Sequence, residues 1–171
     1  MEKLKTFLSM IKIEHTLFAL PFISKRQEFT LVTLPDFWTI FWIIVAVLGA
    51  RSGAMGFNRL ADAAIDARNP RTAKRDIPAG RISMKEAGIY TALSFAVYIF
   101  ATYMLNPLCL YLSPIPLAVF ILYSYTKRFT FLCHIVLGVA LGFAPIGAWI
   151  AVQGTITLPI LLLGLAVLLW V

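Results

Sequence analysis

Long apolar stretches separated by short polar joints dominate this chain. The runs cover residues 37–57, 87–105, 108–125, 131–152 and 158–171, against the roughly 20 mostly apolar residues that a helix needs to cross the hydrocarbon core of a bilayer. The N-terminal pattern is less complete. Its apolar stretch, 16–23, is short and gives way to Ser24, Lys25, Arg26, Gln27 and Glu28, so it spans only if the amphipathic segment 4–15 joins the same helix. Helix breakers mark the joints: Asn106-Pro107, Gln153-Gly154-Thr155 and Asn69-Pro70, because a residue before proline is pushed out of the helical region and glycine punctuates turns. The pattern predicts an all-α, multi-pass transmembrane helical bundle with five clear spans and a short sixth candidate at the N-terminus. Residues 1–171 form a single membrane domain.

Composition agrees with that pattern. Apolar residues make up 60% of the chain, charged residues 13%, and mean hydropathy is +0.85, whereas a soluble domain carries about 25% charge. The charges are also segregated. Arg59, Arg68, Arg71, Lys74, Arg75, Arg81 and Lys85 lie in one segment, and beyond residue 86 only Lys127 and Arg128 are charged. The net charge of +7 is therefore local, and no nucleic-acid-binding surface is expected. The basic N-terminus, the 59–86 loop and the Lys127-Arg128 turn fall on alternate joints. The positive-inside rule then places them on the cytoplasmic side of the cytoplasmic (inner) membrane. Lys25 and Arg26 dissent from this orientation, and Glu28 and Asp36 do not rescue it because acids weigh little in the rule.

The two cysteines, Cys109 and Cys133, lie in apolar surroundings without metal-like spacing and read as packing residues. Lys12, Glu14 and His15 interrupt the first apolar run, so the N-terminus lacks a cleavable-signal pattern. The last run, about 14 residues, is short for a span and ends without a flanking polar tail. That predicts a truncated sequence, the N-terminal portion of a larger protein.

One segment carries chemistry. Asn58, Asp62 and Asp66 are spaced four apart, which on a helix puts three oxygen-bearing side chains on one face. Arg51, seven residues before Asn58, joins that face, and the surrounding Gly49, Ala50, Gly53, Ala54, Gly56, Ala61, Ala63, Ala64 and Ala67 allow close approach. Carboxylates near the hydrocarbon boundary are costly, so they face a polar cavity or a partner. Oxygen-only ligands favour a hard cation, and Mg²⁺ is commonly held by one or two carboxylates with phosphate oxygens completing its shell. Arg71, Lys74, Arg75 and Arg68 supply cationic donors suited to phosphate. A blander arrangement fits the same spacing: two solvated acids at a helix end, paired with Arg59 or Arg68, beside an ordinary basic loop.

The order of these motifs resembles the UbiA superfamily of intramembrane aromatic polyprenyltransferases. Residues 58–66, N-R-L-A-D-A-A-I-D, are similar to that family's NDxxDxxxD motif, with Arg59 in place of its first Asp. Residues 71–80, R-T-A-K-R-D-I-P-A-G, resemble the R-T-A-x-R-x-[IL]-P-x-G run of the quinone-pathway branch, and Tyr123 to Arg128 resembles its Y-x-x-x-K-R segment. The glycine-rich stretch 137–149 is similar to the family's next helix. The resemblance implies transfer of a polyprenyl group from polyprenyl diphosphate to an aromatic acceptor in quinone (menaquinone or ubiquinone) biosynthesis, with Mg²⁺ assisting diphosphate departure. It implies that Asn58, Asp62 and Asp66 hold the metal and act catalytically. Arg51, Arg71, Lys74, Arg75 and Lys127 would contact the diphosphate, and Lys12 would lie near the substrate cavity. Residues 11–21 and Phe57 to Leu60 look more like menaquinone-linked, futalosine-route members than 4-hydroxybenzoate enzymes.

The family's second aspartate motif, of the DxxxD type, is absent from these residues, so the resemblance implies that the chain alone is inactive. His15 reads as interfacial packing. The aromatics Phe95, Tyr98, Phe100, Tyr103, Phe120, Tyr123 and Tyr125 could shield a carbocation or face lipid and its interface. Two other function classes remain open: a small cation-binding transporter using Asp62 and Asp66, and a pseudoenzyme.

Overall fold

Seven helices follow one another in the computed structural model, which describes residues 2–10, 35–130 and 133–170: α1 (Glu2–Met10), α2 (Phe37–Arg68), α3 (Met84–Leu105), α4 (Pro107–Leu112), α5 (Pro114–Thr126), α6 (Cys133–Gln153) and α7 (Leu158–Trp170). Among the described residues α2, α3, the α4–α5 pair and α6 are long and apolar enough to cross a membrane. The all-helical membrane bundle expected from the hydropathy pattern is what forms. With 13 residues, α7 is shorter than the roughly 20 that a span requires. Lys12, His15 and the 16–23 stretch lie outside the described residues.

The longest element, α2, sets the geometry. The Asp36 carboxylate caps its start by accepting from the Thr39 amide at 3.3 Å and from the Thr39 hydroxyl, which holds the carboxyl below its usual range. At the other end Pro70 forces Asn69 into extended backbone, φ −103° and ψ 119°, and the helix stops. Its 32 residues extend about 48 Å at 1.5 Å per residue, well beyond a hydrocarbon core about 30 Å thick. With exposed Phe37 and Trp38 at one lipid interface, the end bearing Asp62 and Asp66 emerges at the other.

Small residues let α3 close on α2. A methyl at Gly49 would stand 2.8 Å from the Tyr98 amide nitrogen, and one at Gly53 would stand 2.4 Å from the Phe95 ring. The α6–α7 contact is similar: a methyl at Gly142 would meet the Gly164 carbonyl at 2.7 Å. Ala46, Tyr98 and Ala101 bury the α2–α3 seam, while Ile43, Cys109, Ile150 and Ala151 join α2, α4 and α6. Phe7 of α1 packs on Ile82 and Ala87. Many large apolar side chains, among them Leu93, Phe100, Leu122 and Leu162, remain exposed on the outer surface, as a lipid-facing surface requires.

Two boundaries differ from the hydropathy pattern. The apolar run 108–125 is divided at Ser113, because Pro114 begins a new helix and has no amide hydrogen to continue the old one. Helix α3 starts at Met84, ahead of the apolar run at 87, because Ser83 and Glu86 form a reciprocal capping box.

The bundle has two unlike ends. At one, the Lys3 ammonium donates to the Arg81 carbonyl at 3.2 Å, and Lys127 and Arg128 reach α2. At the other, the Asn106 amide donates to the Ile150 carbonyl at 2.9 Å, beside the uncharged 153–157 joint. A surface cleft of about 440 Å³, lined by Asp36, Trp38, Thr39, Trp42 and Met104, opens at this second end, far from Asp62 and Asp66.

Candidate active site

The C-terminal half of α2 presents Asn58, Asp62 and Asp66 at successive turns, and cations from two other segments meet them. Lys127, at the end of α5, donates from its ammonium to both Asn58 Oδ1 and Asp62 Oδ2. Arg128 brings Nη2 to 3.5 Å from Asp62 Oδ1, and the same nitrogen donates to the Ala61 carbonyl. These side chains are largely removed from solvent, with Lys127 21%, Arg128 25% and Asp62 15% exposed.

The second carboxylate has its own partner. Asp66 is buried, and the Arg75 Nη1 donates to its two oxygens at 2.8 and 2.6 Å. The loop is shaped to deliver that arginine. The buried Thr72 hydroxyl donates to the Asp66 carbonyl at 3.1 Å, and the Asn69 carboxamide oxygen accepts from the Arg71 amide at 3.0 Å. Arg81 closes the loop with bonds to Asp76 at 2.7 Å and to the Lys74 carbonyl at 2.8 Å. Burying a carboxylate this deeply is tolerable only with a cation and hydrogen bonds in place.

Not every residue singled out in the sequence reaches this cluster. Arg71 and Lys74 stand exposed on the loop. Arg51 lies seven residues up α2, about 10 Å along the axis at 1.5 Å per residue, and its Nε is buried without a hydrogen-bond partner among the described residues. Buried polar atoms are normally bonded, so that nitrogen is free to serve an incoming acceptor atom. Lys12 lies outside the described residues. Neither Arg59 nor Arg68 is the ion-pair partner of the two carboxylates; Lys127, Arg128 and Arg75 are.

Arg128 and Thr72 were not among the residues singled out for the site. Arg128 was visible as the second half of the basic turn, whereas Thr72 carried no signal beyond its place in the R-T-A run. Tyr123 and Tyr125 turn out to face cations already in the protein. The Lys127 ammonium is 5.9 Å from the Tyr123 ring centre and the Arg128 guanidinium 5.3 Å from that of Tyr125, within cation–π range. Phe57 packs edge-on to Tyr125 at 6.1 Å, pinning the basic turn to α2. Phe100 and Tyr103 are exposed and belong to the lipid-facing surface.

The donor set bears on a metal. No group of three or more His, Cys, Asp or Glu occurs among the described residues, so a cation here would draw on the Asn58 amide oxygen and the two carboxylates. That set is oxygen-only and hard, which suits Mg²⁺ completed by phosphate oxygens. Asn58 Oδ1 and Asp62 Oδ2 already converge on one positive centre, the Lys127 ammonium. The residues present therefore fit such an ion.

Comparison with known proteins bears on family and fold. Residues 28–171 match the UbiA prenyltransferase family. The chain is 37% identical over 132 residues to a protoheme IX farnesyltransferase of Korarchaeum cryptofilum, covering 75% of this chain and 45% of that protein. It is 33% identical over 137 residues to a 4-hydroxybenzoate octaprenyltransferase of Vibrio cholerae, covering 80% and 48%. The chain thus spans about half the length of these curated relatives. Among solved structures, a UbiA homolog from Aeropyrum pernix K1 superposes with a TM-score of 0.76 at 36% identity, over 92% of this chain and 60% of that one. A digeranylgeranylglyceryl phosphate synthase superposes with a TM-score of 0.81 at 23% identity, over 99% and 60%, a likeness of fold.

Proposed function

Since this chain belongs to the UbiA prenyltransferase family, we propose that it forms the diphosphate-binding half of an enzyme that moves a polyprenyl group from its diphosphate to an aromatic acceptor in quinone biosynthesis. The observation that carries this reading is the meeting of Asn58, Asp62 and Asp66 with Lys127, Arg128 and Arg75 at one end of the bundle. Three cations beside hard oxygen donors suit a diphosphate with its metal better than a bare cation.

In the reaction the allylic carbon–oxygen bond breaks, the diphosphate leaves with the electron pair, and the aromatic ring attacks the carbocation and then loses a proton. Mg²⁺, held by Asn58, Asp62 and Asp66, would supply the Lewis acid that stabilises the departing charge. Lys127, Arg128 and Arg75 hold the phosphate oxygens and neutralise charge as it develops, which is where electrostatic catalysis is largest. Arg71 and Lys74, exposed on the loop, would add positive charge at the rim of the site. Arg51, deeper in α2, offers its unpartnered Nε to an oxygen of the bound substrates. The long apolar faces around α2 and α6 suit the prenyl tail, with the membrane as its source.

A cation-conducting bundle, the competing reading, leaves unexplained the three cations gathered around the two carboxylates. The test is turnover by the whole protein in membranes with labelled polyprenyl diphosphate and aromatic carboxylate acceptors. Product that requires Mg²⁺ and is lost in Asp66→Asn and in Arg75→Ala supports the reading. Product formation untouched by both substitutions would remove it.

A further inference from the structure

Lys127 occupies the position between Asn58 Oδ1 and Asp62 Oδ2 that the preceding reading gives to a metal. We infer that Lys127 is a placeholder cation, so that the site takes up a divalent metal more readily together with a diphosphate than alone. The inference rests on that reading of the site and adds an order of events to it.

The charge count carries the argument. Asp62 and Asp66 bring two negative charges, and Lys127, Arg128 and Arg75 bring three positive ones within ion-pair distance. Arg59, on the same helix, adds a further positive charge nearby. A divalent ion arriving alone would enter a region that is already net positive, and it would have to displace an ammonium from two oxygen ligands at once. The displaced Lys127 would then be a charge without a partner in a setting where it is only 21% exposed, an arrangement that is strongly unfavourable. A metal diphosphate, with net negative charge, removes both obstacles. Its metal takes the oxygens that Lys127 gives up, and its phosphate oxygens receive the ammonium.

Lys127 is placed for that exchange. It is the last-turn cap of α5, its ammonium has three donors and a flexible stem, and the Tyr123 ring at 5.9 Å offers a face for the stem to swing past. Arg75 has the same relation to Asp66, with more exposure at 38%, and can turn to the diphosphate without leaving its loop. Lys127 is thus a positioning residue for the metal as well as a phosphate contact. The two roles predict opposite effects of its removal: tighter binding of metal alone, and weaker mutual reinforcement between metal and diphosphate. Reinforcement between two ligands is reciprocal and measurable as a coupling.

The experiment is equilibrium dialysis of the purified whole protein in detergent against Mn²⁺, at matched free Mn²⁺, with and without inorganic diphosphate. In the unaltered protein, retained Mn²⁺ should rise about tenfold in apparent affinity when diphosphate is added, a coupling of ordinary size. In Lys127→Met, Mn²⁺ alone should bind about tenfold more tightly than in the unaltered protein, and the gain on adding diphosphate should be smaller than in the unaltered protein. Equal Mn²⁺ binding with and without diphosphate in the unaltered protein overturns the placeholder while leaving the metal site in place, and this arm needs no variant to fold. Lys127→Met binding Mn²⁺ no better than the unaltered protein overturns it as well. Retention of no Mn²⁺ by either protein under any condition would overturn the metal-diphosphate site itself.

Discussion

At the scale of single residues, the Asp66–Arg75 pair shows how closely binding and folding chemistry are tied in this chain. Asp66 is buried and accepts twice from one guanidinium nitrogen, so Arg75→Gln leaves a buried carboxylate under-bonded. That loss should destabilise the protein by about 1–3 kcal/mol. The double substitution Asp66→Asn with Arg75→Gln should recover much of it, since removing both charges abolishes the uncompensated one. A thermal-unfolding double-mutant cycle in detergent checks this; strict additivity of the two losses would show that the pair is not coupled. The i, i+4 ladder of Asn58, Asp62 and Asp66 was legible from spacing alone, because helical periodicity places such residues together. Their partners were not: Lys127 is 65 residues from Asp62, and no local rule brings a turn that distant onto the ladder. Only the ordered motifs of the family resemblance pointed to it.

At the scale of elements, two glycine contacts set how closely helices approach. Gly53→Ala places a methyl against the Phe95 ring, and Gly49→Ala places one against the α3 backbone. The second has no flexible neighbour to yield, so it should cost about 1–3 kcal/mol, the usual range for overpacking. Gly88→Ala, in the interior of α3 with open space around it, should be neutral or stabilise by up to about 1 kcal/mol. Melting temperatures of the three variants would check the order, and a Gly49→Ala protein as stable as Gly88→Ala would contradict the packing. Most element positions were readable from hydropathy. The Ser113 break is not legible from hydropathy, because Ser113-Pro114 is a brief dip inside a long apolar run, and the early start of α3 is not legible because its capping box is polar.

At the scale of the whole molecule, the bundle gathers the basic side chains of its loops at one end among the described residues. Lys3, the 69–83 loop and the Lys127-Arg128 turn lie together, and the Asn106 and 153–157 joints lie at the other. The positive-inside rule then predicts that the site opens to the cytoplasm. Single-cysteine variants Ala79→Cys and Thr155→Cys, both at exposed positions, should react with a membrane-impermeant maleimide from opposite sides of the membrane in a background lacking Cys109 and Cys133. Labelling of both from the same side would contradict the alternation of the joints. On the proposed reading, the diphosphate end of a membrane-held prenyl diphosphate would reach Asp62 and Asp66 at this basic end of the bundle.

The most direct measurement is calorimetric binding of an unreactive prenyl thiodiphosphate in the presence of Mg²⁺, to the unaltered chain and to Asp62→Asn. If Asn58, Asp62 and Asp66 with Lys127, Arg128 and Arg75 form one metal-diphosphate site, the substitution should weaken binding by about tenfold or more, at least 1.4 kcal/mol. It should also remove most of the dependence on Mg²⁺. Equal affinity of the two proteins, with the same Mg²⁺ dependence, would contradict the site.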